Sequence, residues 1–185
     1  GWCEGSFGST IGLNFVGTPG AAISGDSQGQ VLSLSGSTPT TIRSLEITDG
    51  YAANGAGIVA TGGALTLDHV LVDNNEVYST SSTAQGGGVF YAGSHLTITH
   101  STFRSNQVLD LGAAATSADG GGLWASGPIT VTHSVFTQNR ALESTAAALD
   151  GFATAAGAHL DGGPISIDHS SFTNNLDRAT VTTPG

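Results

Sequence analysis

The chain has no lysine and no methionine, only four arginines, and a single cysteine in 185 residues. Each shortage closes off a class of protein. With 14 acidic residues against 4 basic ones, the formal charge is −10. So acidic a chain repels phosphate backbones and anionic headgroups, and nucleic acid is not an expected partner. Membrane insertion is not expected either, because no apolar run approaches the ~20 residues that spanning requires. Cys3 has no second cysteine to pair with, so a disulfide-stapled fold is ruled out. Charged residues make up only 10% of the chain, so most of the polar surface must come from Ser, Thr, Asn and Gly. That composition suits an extracellular wall or fibre protein better than a cytosolic enzyme. The expected location is therefore extracellular or at the cell surface; no basic-plus-apolar leader is visible, so a secreted chain would already have had its signal removed.

What the sequence does have is a repeat. "LTLDHVLVDNN" starts at Leu65, "LTITHSTFRSN" at Leu96, "ITVTHSVFTQN" at Ile129 and "ISIDHSSFTNN" at Ile165. Their histidines, His69, His100, His133 and His169, are spaced by 31, 33 and 36 residues. The closing asparagines Asn75, Asn106, Asn139 and Asn175 keep the same spacings. A degenerate copy, "IRSLEITDG" from Ile42, has Ser44 at the histidine position and Gly50 at the asparagine position. A period of this length marks a solenoid, propeller or array. Within each copy apolar and polar residues alternate, the period of a strand with one wet face. Glycine clusters before each copy ("GAGIVATGG", "GGGVFYAG", "GGGLWASG", "GAHLDGG") bound a further short strand. No helical pattern intervenes.

One repeat therefore reads as about three strands and three turns, which predicts an all-β fold: a right-handed parallel β-helix of about six coils. The chain is expected to be a single domain, 1–185. Residues 1–20 would form an N-terminal strand or cap, 21–178 the repeats, and 179–185 the C-terminal end.

Coils in such a stack lie ~4.8 Å apart, so any residue type repeated in register becomes a row. An Asn row can satisfy itself, each amide donating to one neighbour and accepting from the other, and Asn tolerates a left-handed corner. The histidines are expected to form a second structural row. A straight row points its rings in parallel, whereas a metal needs ligands that converge, so neither a metal nor a cofactor is expected. Insertions of growing length leave from the asparagine corner, and they carry Val77, Tyr78, Val108, Leu109, Leu111, Leu142, Leu149 and Phe152. Apolar residues in lateral loops on one edge are candidate contact surfaces.

The glycine cluster followed by a strand and a Phe-x-x-Asn box ("FRSN", "FTQN", "FTNN", with "VDNN" as a weaker member) resembles the repeat of polymorphic outer membrane proteins and related secreted β-helix proteins. The resemblance covers residues 21–178. It implies a cell-surface location and an adhesive or structural role, usually without catalysis. Separately, the two ends of a parallel stack have complementary strand edges, so self-association, end to end or through the lateral loops, is an expected mode of partnering, with a surface glycan or protein receptor as another. Histidine stands here where such repeats more often show Asn.

Two other readings rank lower. A β-helix lyase or hydrolase needs clustered carboxylates. Asp68 and Asp168 share one column but lie three coils apart, and Asp110, Asp119, Glu143 and Asp150 would have to gather in one cleft. An ice-binding face needs a regular Thr-x-Thr array, and only the Thr97/Thr99 and Thr130/Thr132 rows supply one.

Overall fold

In a computed structural model the chain winds into a right-handed parallel β-helix, described over residues 2–80, 83–112, 117–145 and 152–181. Every strand pairing is parallel and joins like segments of successive repeats. Sheet C contains the alternating strands Leu65–Asp68, Leu96–Thr99, Ile129–Thr132 and Ile165–Asp168, preceded by Asn14–Val16 and Thr40–Arg43. Sheet A contains the strands that carry the Phe box, among them Leu71–Asp73, Thr102–Arg104, Val135–Thr137 and Ser171–Thr173. Sheet B contains the post-glycine strands, including Ile58–Gly62, Val89–Gly93 and Leu123–Ser126.

These three sheets enclose the main core. Alternation puts Leu67, Ile98 and Val131 inside sheet C, Val72, Phe103 and Phe136 inside sheet A, and Ile58, Val89 and Leu123 inside sheet B, all without solvent exposure. Each such side chain contributes ~1.5–3 kcal/mol by burial. The rings of Phe103, Phe136 and Phe172 stack at 4.5 and 4.6 Å, so the Phe box is a continuous aromatic column through the core.

The lateral insertions turn out to be largely stranded. From Tyr51 onward each coil gains a fourth strand, forming sheet D (Tyr51–Ala52, Glu76–Ser79, Gln107–Asp110, Arg140–Thr145, Leu176–Val181). From Ala84 a fifth appears, forming sheet E (Ala84–Gln85, Ser117–Asp119, Phe152–Thr154). A full coil thus has five strands rather than three. The lobe between D and E has its own core of small side chains: Ala56, Val77, Ala84, Val108, Ala118, Ala141 and Ala156. Alanine lets the two sheets approach closely.

This corrects part of the expected contact surface. Val77 and Val108 are wholly buried because strand alternation turns them inward. Tyr78, Leu109 and Leu142 occupy the outward positions and are half-buried, whereas Leu111 and Phe152 are exposed. Leu149 lies outside the described residues.

The first twenty residues supply strands. Trp2–Glu4, Phe7–Ser9 and Asn14–Val16 already pair in sheets A, B and C, so the segment forms a coil of its own. Among the described residues no helix is long and apolar enough to cross a membrane.

Candidate functional site

The histidine corner lies between sheets C and A. Each histidine has a left-handed backbone, with φ of 55°, 49°, 50° and 46° from His69 to His169, and Ser44 adopts the same conformation at 51° in the degenerate copy. The turn rotates each ring out of the coil. Successive rings then stack with centroids at 4.7, 5.0 and 4.9 Å and planes within 14° of parallel. All four histidines are exposed.

A hydroxyl row lies behind the rings. The N–H of Val70 donates to Ser101 Oγ, that of Ser101 to Ser134 Oγ and that of Ser134 to Ser170 Oγ, at 3.1–3.2 Å. Each hydroxyl donates in turn to the carbonyl two residues before it. The repeated His-Ser dipeptide was the sequence signal for this row.

The asparagine corner works differently from the expectation in one respect. The left-handed residue is the one before the ladder asparagine: Asn74, Ser105, Gln138 and Asn174, at φ 54–58°. The ladder asparagines point inward instead. Asn106 Oδ1 accepts from the N–H and the Nδ2 of Asn75, at 3.2 and 2.9 Å. Asn139 Oδ1 accepts from the same two groups of Asn106, and Asn175 Oδ1 from those of Asn139. Each Nδ2 also donates to a carbonyl of the preceding coil. Gly50, at the head of the row, donates its N–H to Asn75 Oδ1. Glycine at position 88 is required by this packing, because a Cβ there would sit 2.5 Å from the Gly122 carbonyl and 3.0 Å from Asn106 Cγ.

Outside this corner, between sheets A and D, a polar groove runs along the axis. Two depressions of about 350 and 320 Å³ share Asn74, Ser105 and Gln107, with Tyr51 and Glu76 toward one end and Gln138 and Arg140 toward the other. The left-handed residues form one wall, and the first outward positions of sheet D form the other. Tyr51 stacks on Tyr78 with centroids at 6.2 Å. A second, half-buried aromatic row on sheet B joins Phe90 to Trp124 at 4.7 Å and Trp124 to His159 at 6.0 Å.

The carboxylates fall into three settings. Asp110 and Glu143 are register partners on neighbouring strands of sheet D, 0% and 2% exposed. Asp110 Oδ2 and both oxygens of Glu143 lack hydrogen-bond partners. Burial, then the neighbouring Asp110, pushes the Glu143 carboxyl above its ordinary range. Asp119 is held on sheet E by His159 Nδ1 at 2.8 Å and the Thr154 hydroxyl at 2.7 Å. Asp150 lies outside the described residues.

Asp68 is the third setting. Its Oδ1 accepts from Thr99 Oγ at 2.9 Å and faces the Nδ1 atoms of His69 and His100 at 2.8 and 4.0 Å. Burial tends to raise its pKa, but the hydrogen bonds from Thr99 and His69 and the charges of His69 and Arg43 hold it below its ordinary value. Because Thr99 is tied to Asp68 and Thr130 lies 3.5 Å from His95 Nε2, both Thr-x-Thr rows have a hydroxyl engaged by a neighbour.

Residues 18–181 match the family model described as a right-handed β-helix region. No curated protein and no solved structure matches the chain.

Proposed function

Since the chain belongs to the right-handed β-helix family, we propose that it is a non-catalytic structural or adhesive module of the extracellular space or cell surface, which binds an extended glycan along its axial groove. The observation that carries this reading is the groove between sheets A and D. Coil after coil it presents a polar group: the amides of Asn74, Gln107 and Gln138, the Ser105 hydroxyl and the Arg140 guanidinium. Groups repeated at the ~4.8 Å coil spacing suit a linear polymer of hydroxyl-bearing units better than a compact metabolite.

Sealing of the paired carboxylates supports the non-catalytic part. Among the described residues Asp110 and Glu143 are carboxylates in register on neighbouring strands, and both are closed to solvent, whereas Asp119 is engaged by His159 and Thr154. The polymorphic outer membrane protein likeness supports the surface role, because its Phe-x-x-Asn box supplies both the aromatic column and the amide ladder.

Self-association is part of the same proposal. Ile165, Ile167, Phe172 and Leu176 expose 42–46% of their surface on one coil. They sit in register on Ile129, Val131, Phe136 and Arg140, and a second copy stacked head to tail would cover them.

A polysaccharide panel tests the reading. Saturable binding without new reducing ends or unsaturated products is expected, and Gln107→Ala and Arg140→Ala should weaken binding. Bond cleavage that disappears on carboxylate substitution would overturn it. Light scattering should show concentration-dependent growth; a strict monomer at high concentration contradicts stacking.

A further inference from the structure

We infer that the Asp68–His69–His100 corner binds one first-row divalent transition-metal ion, with Zn²⁺ as the reference ligand, through one carboxylate oxygen and two imidazole nitrogens. The three side chains each offer a ligand atom, and these atoms lie within 4.8 Å of one another. A histidine row alone would not do this, because stacked rings point in parallel. Asp68 changes the geometry by placing Oδ1 against both Nδ1 atoms at once, at 2.8 and 4.0 Å. Ligand atoms around tetrahedral zinc, bonded at about 2.0–2.2 Å, are roughly 3.4 Å apart. The two observed separations bracket that value. Both imidazoles are more than half exposed, at 61% and 52%, so rotation about their side-chain torsions can close the site without moving the coil.

The donor set suits the ion. Imidazole with carboxylate matches zinc, copper, nickel and iron, and excludes an all-oxygen calcium cage. A neutral His69 that donates Nδ1–H to Asp68 would shift to the Nε2–H tautomer and free its Nδ1 lone pair. The Asp68–His69 hydrogen bond is exchanged for two metal bonds, and no net proton leaves a neutral ring. Water fills the remaining positions. The Thr99 hydroxyl, donating to the same Asp68 oxygen at 2.9 Å, orients the carboxylate. Arg43 is the competitor: its Nε lies 3.6 Å from Asp68 Oδ2, and its exposed side chain must swing aside when the ion enters.

The far end of the row is a built-in control. His169 Nδ1 meets Asp168 Oδ2 at 2.8 Å, but among the described residues only the Asp68 corner brings three ligand atoms together.

Calorimetric titration with Zn²⁺, together with the visible spectrum of the Co²⁺-loaded protein, decides the matter. One ion per chain is expected at the tightest site, with tetrahedral or five-coordinate Co²⁺ bands. His69→Asn, His100→Asn and Asp68→Asn should each weaken binding about tenfold or more; Asn at the two histidine positions keeps the left-handed backbone accessible. Arg43→Ala should tighten binding, and His169→Asn should leave it within about twofold. Unchanged far-ultraviolet circular dichroism shows that each variant is folded. Absence of saturable binding up to millimolar Zn²⁺ overturns the inference. So does binding that survives His100→Asn or Asp68→Asn, or that falls with His169→Asn instead.

Discussion

Truncating Asn106 to alanine removes one rung from the middle of the amide ladder, and the cost can be worked from its bonds. The side chain accepts from the N–H and Nδ2 of Asn75 and donates to Val72 O and Asn139 Oδ1, with distances of 2.9–3.2 Å and no solvent exposure. At a net value of about 1 kcal/mol per bond the loss is about 4 kcal/mol. The exposed face of the stack gives the comparison. Asn175 accepts two bonds from Asn139 and donates one to Phe136 O, but it is only partly buried, so water replaces much of what is lost. Asn175→Ala should therefore cost only about 1–2 kcal/mol. Urea unfolding followed by circular dichroism measures both, and amide exchange at Asn75 should accelerate in Asn106→Ala because its N–H acceptor has gone. A whole domain commonly has about 5–15 kcal/mol of stability, so the central substitution should produce a large shift in midpoint. Equal costs at the two positions, or a loss below about 1 kcal/mol at Asn106, would refute the ladder energetics.

Other substitutions probe other rows. Phe136→Ala empties a fully buried ring position between Phe103 and Phe172 and should cost about 3–5 kcal/mol. Phe172→Ala, at a ring 42% exposed, should cost clearly less in the same unfolding assay. Glu143→Gln should raise thermal stability at neutral pH and have little effect near pH 4. The sign follows from the folded-state pKa of Glu143 lying above its unfolded value. The unfolded chain then binds fewer protons as pH rises past the ordinary glutamate range, so folding loses stability on the alkaline side of that value and levels off above the folded pKa. Glutamine removes that loss. Melting curves across the pH series check it, and a neutral-pH decrease in Glu143→Gln would contradict the sign. Arg104→Ala breaks the exposed pair with Asp73 and should change stability by less than about 1 kcal/mol, falling further with salt.

The rows were legible in the sequence because register in a parallel stack is a matter of spacing. Matching strings around His69, His100, His133 and His169, at intervals of 31, 33 and 36 residues, place identical side chains one above another, with the extra residues taken up by the insertions. Backbone detail was less accessible. The left-handed turn falls on the histidine itself at one corner and on the residue before the asparagine at the other, and alternation alone does not separate the two. The insertions misled for a physical reason. Val77 and Val108 read as loop residues because the segments are short and irregular in length, yet pairing with the coil beside them makes them strands with a buried face. Asp68 was read only along its own column toward Asp168. Its approach to His69 and His100 depends on a side-chain torsion across the corner, which no spacing encodes. Asp110 and Glu143 were seen as members of one set, but their registration on sheet D required the strand assignment first.

The central claim is that the repeats lie in parallel register, each histidine directly above the last. Nuclear Overhauser contacts between histidine ring protons test it most directly. His69–His100, His100–His133 and His133–His169 cross-peaks are expected, with none between His69 and His133, in keeping with centroid steps of 4.7, 5.0 and 4.9 Å. Absence of the His100–His133 contact, or backbone contacts typical of antiparallel pairing between Leu96–Thr99 and Ile129–Thr132, would contradict it.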